Sequence, residues 1–267
     1  MNIRLILFIP TLLISFLVFA QNKNTLLSTD KYFEIGEKLE FSINYGWFQL
    51  GKAEAIHGER KNFINGIDHY SVDLQAKTVG FLSFIKNVEA HFLSFLQTAT
   101  YKPTYSEKQM LEGKEEWDQT NLFNYDSMTA DVSVTTSKKW KYRNWIVDME
   151  DNTFDILGTY MYLRNVDWSQ LQIGDSLMLS TLYEKKIYDF GIENGGFEKI
   201  TWQDSEYKAY KLYILFPISK AFPEEKAVIF WVIEKDGVRL PVLVEANMRF
   251  GKVTCKLERY SLLGEYN

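Results

Sequence analysis

Leu39-Glu40-Phe41-Ser42-Ile43-Asn44-Tyr45 alternates apolar and polar residues without a break, which puts Leu39, Phe41, Ile43 and Tyr45 on one face of a half-buried strand. Gly46 and Gly51 bracket a turn through Trp47-Phe48-Gln49-Leu50, and a second strand is expected from Lys52 to about Lys61. Asn65-Gly66 follows. Both central positions of a type I′ turn need positive φ, so this pair closes a two-residue hairpin into a third strand, Ile67 to Lys77. A regular hairpin through that turn sets Ala55 against Ala76, His57 against Leu74 and Lys61 against Tyr70, and its apolar members mark the core side.

Working outward, the same pattern predicts strands at Val88 to Gln97, Thr104 to Glu112, Glu116 to Tyr125, Thr129 to Thr136 and Trp140 to Asp148. It breaks at Asp151-Asn152-Thr153, three good N-cap residues, ahead of Phe154-Asp155-Ile156-Leu157-Gly158-Thr159-Tyr160-Met161-Tyr162-Leu163-Arg164. Phe154, Leu157 and Met161 fall at helical spacing, while Asp155 and Arg164 suit the two ends of the macrodipole. Strands resume at Ser176 to Leu182, Lys185 to Ile192, Glu198 to Trp202, Tyr207 to Phe216, Ala227 to Ile233, Leu240 to Arg249 and Lys252 to Leu262. So many short antiparallel strands imply a mainly β fold, a large curved sheet or partly open β-barrel with one α-helix packed across it.

The chain opens with Arg4 and an apolar run from Leu5 to Phe19 that ends at Val18-Phe19-Ala20. The run is shorter than a membrane span, so residues 1–20 are expected to be a cleaved secretory signal and residues 21–267 one exported, soluble β-rich domain with no transmembrane anchor. Arg4 is the only charge in the signal, which leaves 29 basic against 35 acidic residues. That balance offers no basic field for nucleic acid. Cys255 is the only cysteine, so no internal disulfide can form; Val253, Cys255 and Leu257 share a face, which reads as a packed thiol.

Three segments together resemble a known family. Gly36-Glu37-Lys38-Leu39-Glu40-Phe41 through Tyr45-Gly46 to Leu50-Gly51-Lys52-Ala53 resembles the opening of an exported bacterial family known as domain of unknown function number 3108. Phe154-Asp155-Ile156-Leu157 through Tyr162-Leu163-Arg164 with Ile173-Gly174-Asp175, and Lys235-Asp236-Gly237-Val238-Arg239-Leu240-Pro241-Val242 with Gly251-Lys252-Val253, resemble its central and closing motifs. The resemblance implies compartment and fold but no catalytic residue. The architecture is also similar to periplasmic lipoprotein carriers, whose half-open barrels hold acyl chains over a curved sheet.

The residues themselves offer little chemistry. His57 is expected on the core face and His69 on the other, so a regular ladder cannot bring both to one ion; His91 shares a face with Glu89. Glu115-Glu116 and Glu224-Glu225 are adjacent and point to opposite faces of a strand, which prevents shared acid/base work. Nucleophile elbows, phosphate-cradling loops and zinc-protease motifs are absent from the sequence, so no catalytic residue, metal or cofactor is assigned. Asp236 and Arg239 read as a hairpin turn whose arginine covers an edge.

Trp47, Phe48, Trp117, Tyr142 and Trp145 could line a groove, although in an aromatic-rich sheet such residues more often pack. Val79-Gly80-Phe81-Leu82-Ser83-Phe84-Ile85 is apolar yet flanked like a loop, a plug for one barrel end or a lid over a ligand. The candidate ligand contacts are therefore Trp47, Phe48, Phe81, Leu82 and Phe84. The sequence favours a non-enzymatic periplasmic protein that binds an apolar or amphipathic, lipid-like ligand on the concave side of its sheet. The alternatives are a protein-binding component of envelope assembly with a filled interior, and a carbohydrate-binding or glycan-active protein.

Overall fold

The first strand and the last pair with each other at the middle of the sheet. β1 (Glu37–Tyr45) lies antiparallel to β15 (Gly251–Leu262), from Glu37 opposite Leu262 to Tyr45 opposite Val253. The structure is a computed structural model that describes residues 26–64, 66–80, 83, 87–137, 141–215, 223–249 and 251–263. The expected signal at residues 1–20 lies outside them, as do Phe81, Leu82 and Phe84.

From β1 one antiparallel meander runs outward through β2 (Phe48–Ile64), β3 (Ile67–Thr78), β4 (Val88–Gln97), β5 (Pro103–Glu112), β6 (Glu115–Asn124), β7 (Thr129–Thr136) and β8 (Lys141–Asp148). The chain then forms β9 (Thr153–Phe154) and α1 (Ile156–Arg164) before a second meander. That meander returns through β10 (Ser176–Tyr183), β11 (Lys186–Trp202), β12 (Ser205–Leu215), β13 (Val228–Lys235) and β14 (Val238–Met248) to β15. Among the described residues the result is one fifteen-stranded sheet with β8 and β9 at its edges, in which only the β9–β10 pair is parallel. The expected mainly β, curved and unclosed sheet with a helix across it is thus observed. No helix among the described residues is long and apolar enough to cross a membrane.

Alternation decides how the sheet rolls. On β10, Leu177 and Leu179 pack into the cluster around the helix residues Leu157, Met161 and Tyr162, whereas Leu182, on the opposite face, joins Phe123, Val132 and Met149 near the other edge. One hairpin therefore bridges the helix and the inner face of β6–β8. A third cluster gathers Leu39, Ala55, Trp231, Ile233 and Leu257. A register shift between Trp231 and Val232 lets the even-numbered residues of β14 serve two clusters, Val238, Leu240 and Val242 in one and Val244 and Ala246 against the other.

Three local expectations are corrected. The β2–β3 hairpin starts as expected, with Ile64 opposite Ile67, but a bulge between Arg60 and Ile64 moves the pairing by two. Ala53 then faces Ala76, Ala55 faces Leu74 and His57 faces Val72; a slip of two preserves the faces, so the core side is unchanged. The break read between Ile192 and Glu198 is a bulge within the continuous β11, where Gly196 takes φ +81°. The N-cap of α1 is Asp155 rather than any of Asp151-Asn152-Thr153, because Thr153 and Phe154 are held by β10.

Candidate functional site

On the inner face, Glu37 of β1 and Arg164 at the end of α1 are both buried and form an ion pair: one guanidinium nitrogen meets Oε1, the other reaches Oε2 at 3.2 Å. Arg164 also donates to the Tyr32 carbonyl at 3.1 Å and the Tyr160 hydroxyl at 3.2 Å. Burial alone would raise the Glu37 carboxyl, but the Arg164 charge and His57 outweigh it and hold it at about 2. Nδ1 of His57 lies 2.5 Å from Glu37 Oε1, and its Nε2 has no hydrogen-bond partner among the described residues. Burial chiefly pushes His57 below 6.5, so it stays neutral.

Arg239 extends this cluster. Asp236 and Gly237 take positive φ as the turn requires, but the arginine does not cover an edge. It is buried over the Tyr32 ring and donates to the carbonyls of Arg164, at 3.2 Å, and Val166, at 2.5 Å, at and just past the end of the helix. The group ties the N-terminal segment, α1 and the β13–β14 turn together. None of its residues lines the groove or the cavity described below, and the group does structural work.

At the other end of α1, Asp155 accepts from the Gly158 amide at 2.7 Å and from the Ser94 hydroxyl. Burial raises this carboxyl to about 6 against those hydrogen bonds. Ser106, Lys108, Gln119 and Asn121 continue the polar row beside it, around a cavity of about 30 Å³. That is room for about one or two waters. The concave side is otherwise filled by α1 and the three apolar clusters.

The larger opening is on the opposite face. A groove of about 750 Å³ crosses the strands over one straight register row, Phe41, Ala53, Ala76, Ala90, Met110 and Trp117 in β1 to β6. The neighbours of each row member line it, which by alternation means that the row supplies the backbone floor and the flanking side chains point into the groove. They form two cross-strand ladders: Glu40, Glu54, Gln75, His91, Gln109 and Asp118 on one side, and Ser42, Lys52, Lys77, Glu89, Leu111 and Glu116 on the other. Lys38 bridges Glu54 at 2.8 Å and Glu40 at 3.5 Å, and Arg259 also pairs with Glu40. His91 contacts Asp73 at 2.9 Å across the strand pair rather than Glu89.

Of the aromatic candidates, Trp47 and Phe48 fall beside this groove, whereas Tyr142 and Trp145 lie on β8 at the sheet edge. Trp47 is 84% exposed and stacks on Phe48, with ring centroids 3.7 Å apart, at the β1–β2 turn; the next residue, Gln49, lines the groove. Phe81, Leu82 and Phe84 lie outside the described residues, in the connection that leaves β3 after Thr78. Among the described residues no group of three His, Cys, Asp or Glu is placed to hold a metal ion. His69 is instead buried against Thr104, 2.7 Å away, and burial pushes the Cys255 thiol up to about 12. The ladders were missed in the sequence because they need the register of six strands at once.

A family model described as "Protein of unknown function (DUF3108)" matches residues 40–258. The chain belongs to this family. The DUF3108 match spans β1 to β15 and so includes both sides of the groove. Among solved structures, the chain is similar to a beta-barrel-like protein of the domain of unknown function DUF1849 from Brucella abortus, with a TM-score of 0.53 and 6% identity over 86% of this chain and 98% of that one. At such identity the likeness is one of fold alone. Comparison with curated proteins gives no match.

Proposed function

We propose that this DUF3108 chain is an exported, non-enzymatic binding protein of the bacterial envelope, whose ligand lies across the strands in the groove over Phe41 to Trp117. The observation that carries this reading is the pair of registered ladders flanking about 750 Å³ of open volume, a size typical of small-molecule sites. The ladders stand about 7 Å apart and extend about 24 Å across six strands. A trough of that shape suits an elongated molecule with hydroxyl, amide or ammonium groups along its length. Gln75, His91, Gln109 and Asp118 supply donors and acceptors for them, while Trp47 and Phe48 offer an exposed apolar platform at one end.

The ligand is therefore amphipathic, its polar length in the groove and its apolar end against the aromatic pair. An acyl chain laid on the concave side, as in lipoprotein carriers, would need room that α1 occupies in the described residues. The test is native mass spectrometry, with lipid and glycan analysis, of the protein exported from its full-length gene and purified without detergent. A bound mass that Gln75→Leu with Gln109→Leu removes, at an unchanged urea midpoint, supports the reading. A bare mass with no uptake of a fluorescent lysophospholipid or a labelled oligosaccharide overturns it.

A further inference from the structure

Strand β8 ends the sheet with one backbone edge paired to β7 and the other without a partner among the described residues. Edge strands are usually protected by proline, bulges, charged side chains or covering segments, and of these β8 carries only the charges of Lys141, Arg143 and Asp148 among the described residues. The sequence of β8, Lys141-Tyr142-Arg143-Asn144-Trp145-Ile146-Val147-Asp148, has no proline, and its register with β7 is unbroken. Its two large apolar side chains on the outer face, Tyr142 and Ile146, are 66% and 65% exposed.

We infer that β8 pairs antiparallel with β8 of a second copy of this chain, about a two-fold axis through Asn144 perpendicular to the sheet. Such an axis keeps inner and outer faces aligned, so each residue meets one of its own parity. Centred on Asn144, Tyr142 lies opposite Ile146 of the second copy and Ile146 opposite its Tyr142, which covers both exposed side chains twice over. On the inner face Arg143 comes opposite Trp145 of the second copy, a cation against an indole, and Lys141 opposite Val147.

Neighbouring registers are worse. An axis at Trp145 sets Tyr142 against Asp148 and Ile146 against Asn144, and one at Arg143 places two guanidinium groups face to face. The chosen register extends the sheet through the axis and leaves both cross-strand grooves on the same side of the double sheet.

Analytical ultracentrifugation of the exported protein, with oxidative cross-linking of Asn144→Cys in a Cys255→Ser background, tests the pairing. The expected result is a concentration-dependent dimer, shifted at least tenfold toward monomer by Ile146→Lys but not by Ile146→Val. Asn144→Cys should cross-link to itself and Tyr142→Cys should not, because only the axial residue meets its own copy. A monomer at every concentration overturns the inference. So does a dimer that survives Ile146→Lys or that fails to cross-link through Asn144→Cys, whichever other surface or partner strand is then found.

Discussion

Glu37, His57, Arg164 and Asp155 are buried ionisable groups with different linkages to pH. Removing one partner of the Glu37–Arg164 pair leaves a charge without its counterion in the core, so Arg164→Met or Glu37→Gln alone should cost about 3–5 kcal/mol in urea unfolding. The double variant should cost less than the sum of the two. His57 is depressed below 6.5 in the folded chain, so its share of stability is present above that pH and is lost as pH falls below it. His57→Gln should therefore flatten the loss of stability between pH 7 and 5, where one proton is worth at most about 1.4 kcal/mol per unit. Asp155 behaves in the opposite sense: its folded value is raised from 3.8 to about 6, so its contribution is complete below 3.8 and is lost as pH rises through about 6. Asp155→Asn, which keeps a capping oxygen, should gain on the parent between pH 4 and 7 by up to about 3 kcal/mol. Spacing did place Asp155 and Arg164 at the two helix ends, but the partner of Arg164 lies 127 residues away and nothing in local pattern encodes it.

At the scale of elements, α1 illustrates how tertiary packing overrides propensity. Alanine exceeds glycine inside a helix by about 1 kcal/mol. A Cβ on Gly158, however, would meet Asp155 Oδ1 at 2.8 Å and the Tyr101 carbonyl at 3.0 Å. Gly158→Ala should therefore lower the thermal midpoint despite its better propensity, by the equivalent of about 1–3 kcal/mol. The strands were legible because alternation marks them: β4 and β7 begin and end where the pattern predicts. Register was legible only near turns. The Asn65-Gly66 signal set the hairpin tip, but bulges such as the one in β2 leave no periodic trace, and the groove ladders depend on them.

For the whole molecule, alternation announced a large curved sheet, yet it could not say which strands form its edges. Those follow from the pairing of β1 with β15, which moves both termini of the sheet to β8 and β9. A central strand cannot lose an amide donor cheaply, and Thr254 lies between Asn44 and Glu245. Thr254→Pro should cost about 3 kcal/mol or more and expose β1 and β14 as bare edges, seen as loss of soluble protein on expression.

The pairing of β1 with β15 also sets a clock. A ribosome must make all thirteen intervening strands before the central seam can form, because its two halves are β1 and β15. Contacts this distant in sequence form slowly, over milliseconds to seconds. On the export route proposed above, the late seam holds open the interval in which the chain is still threadable.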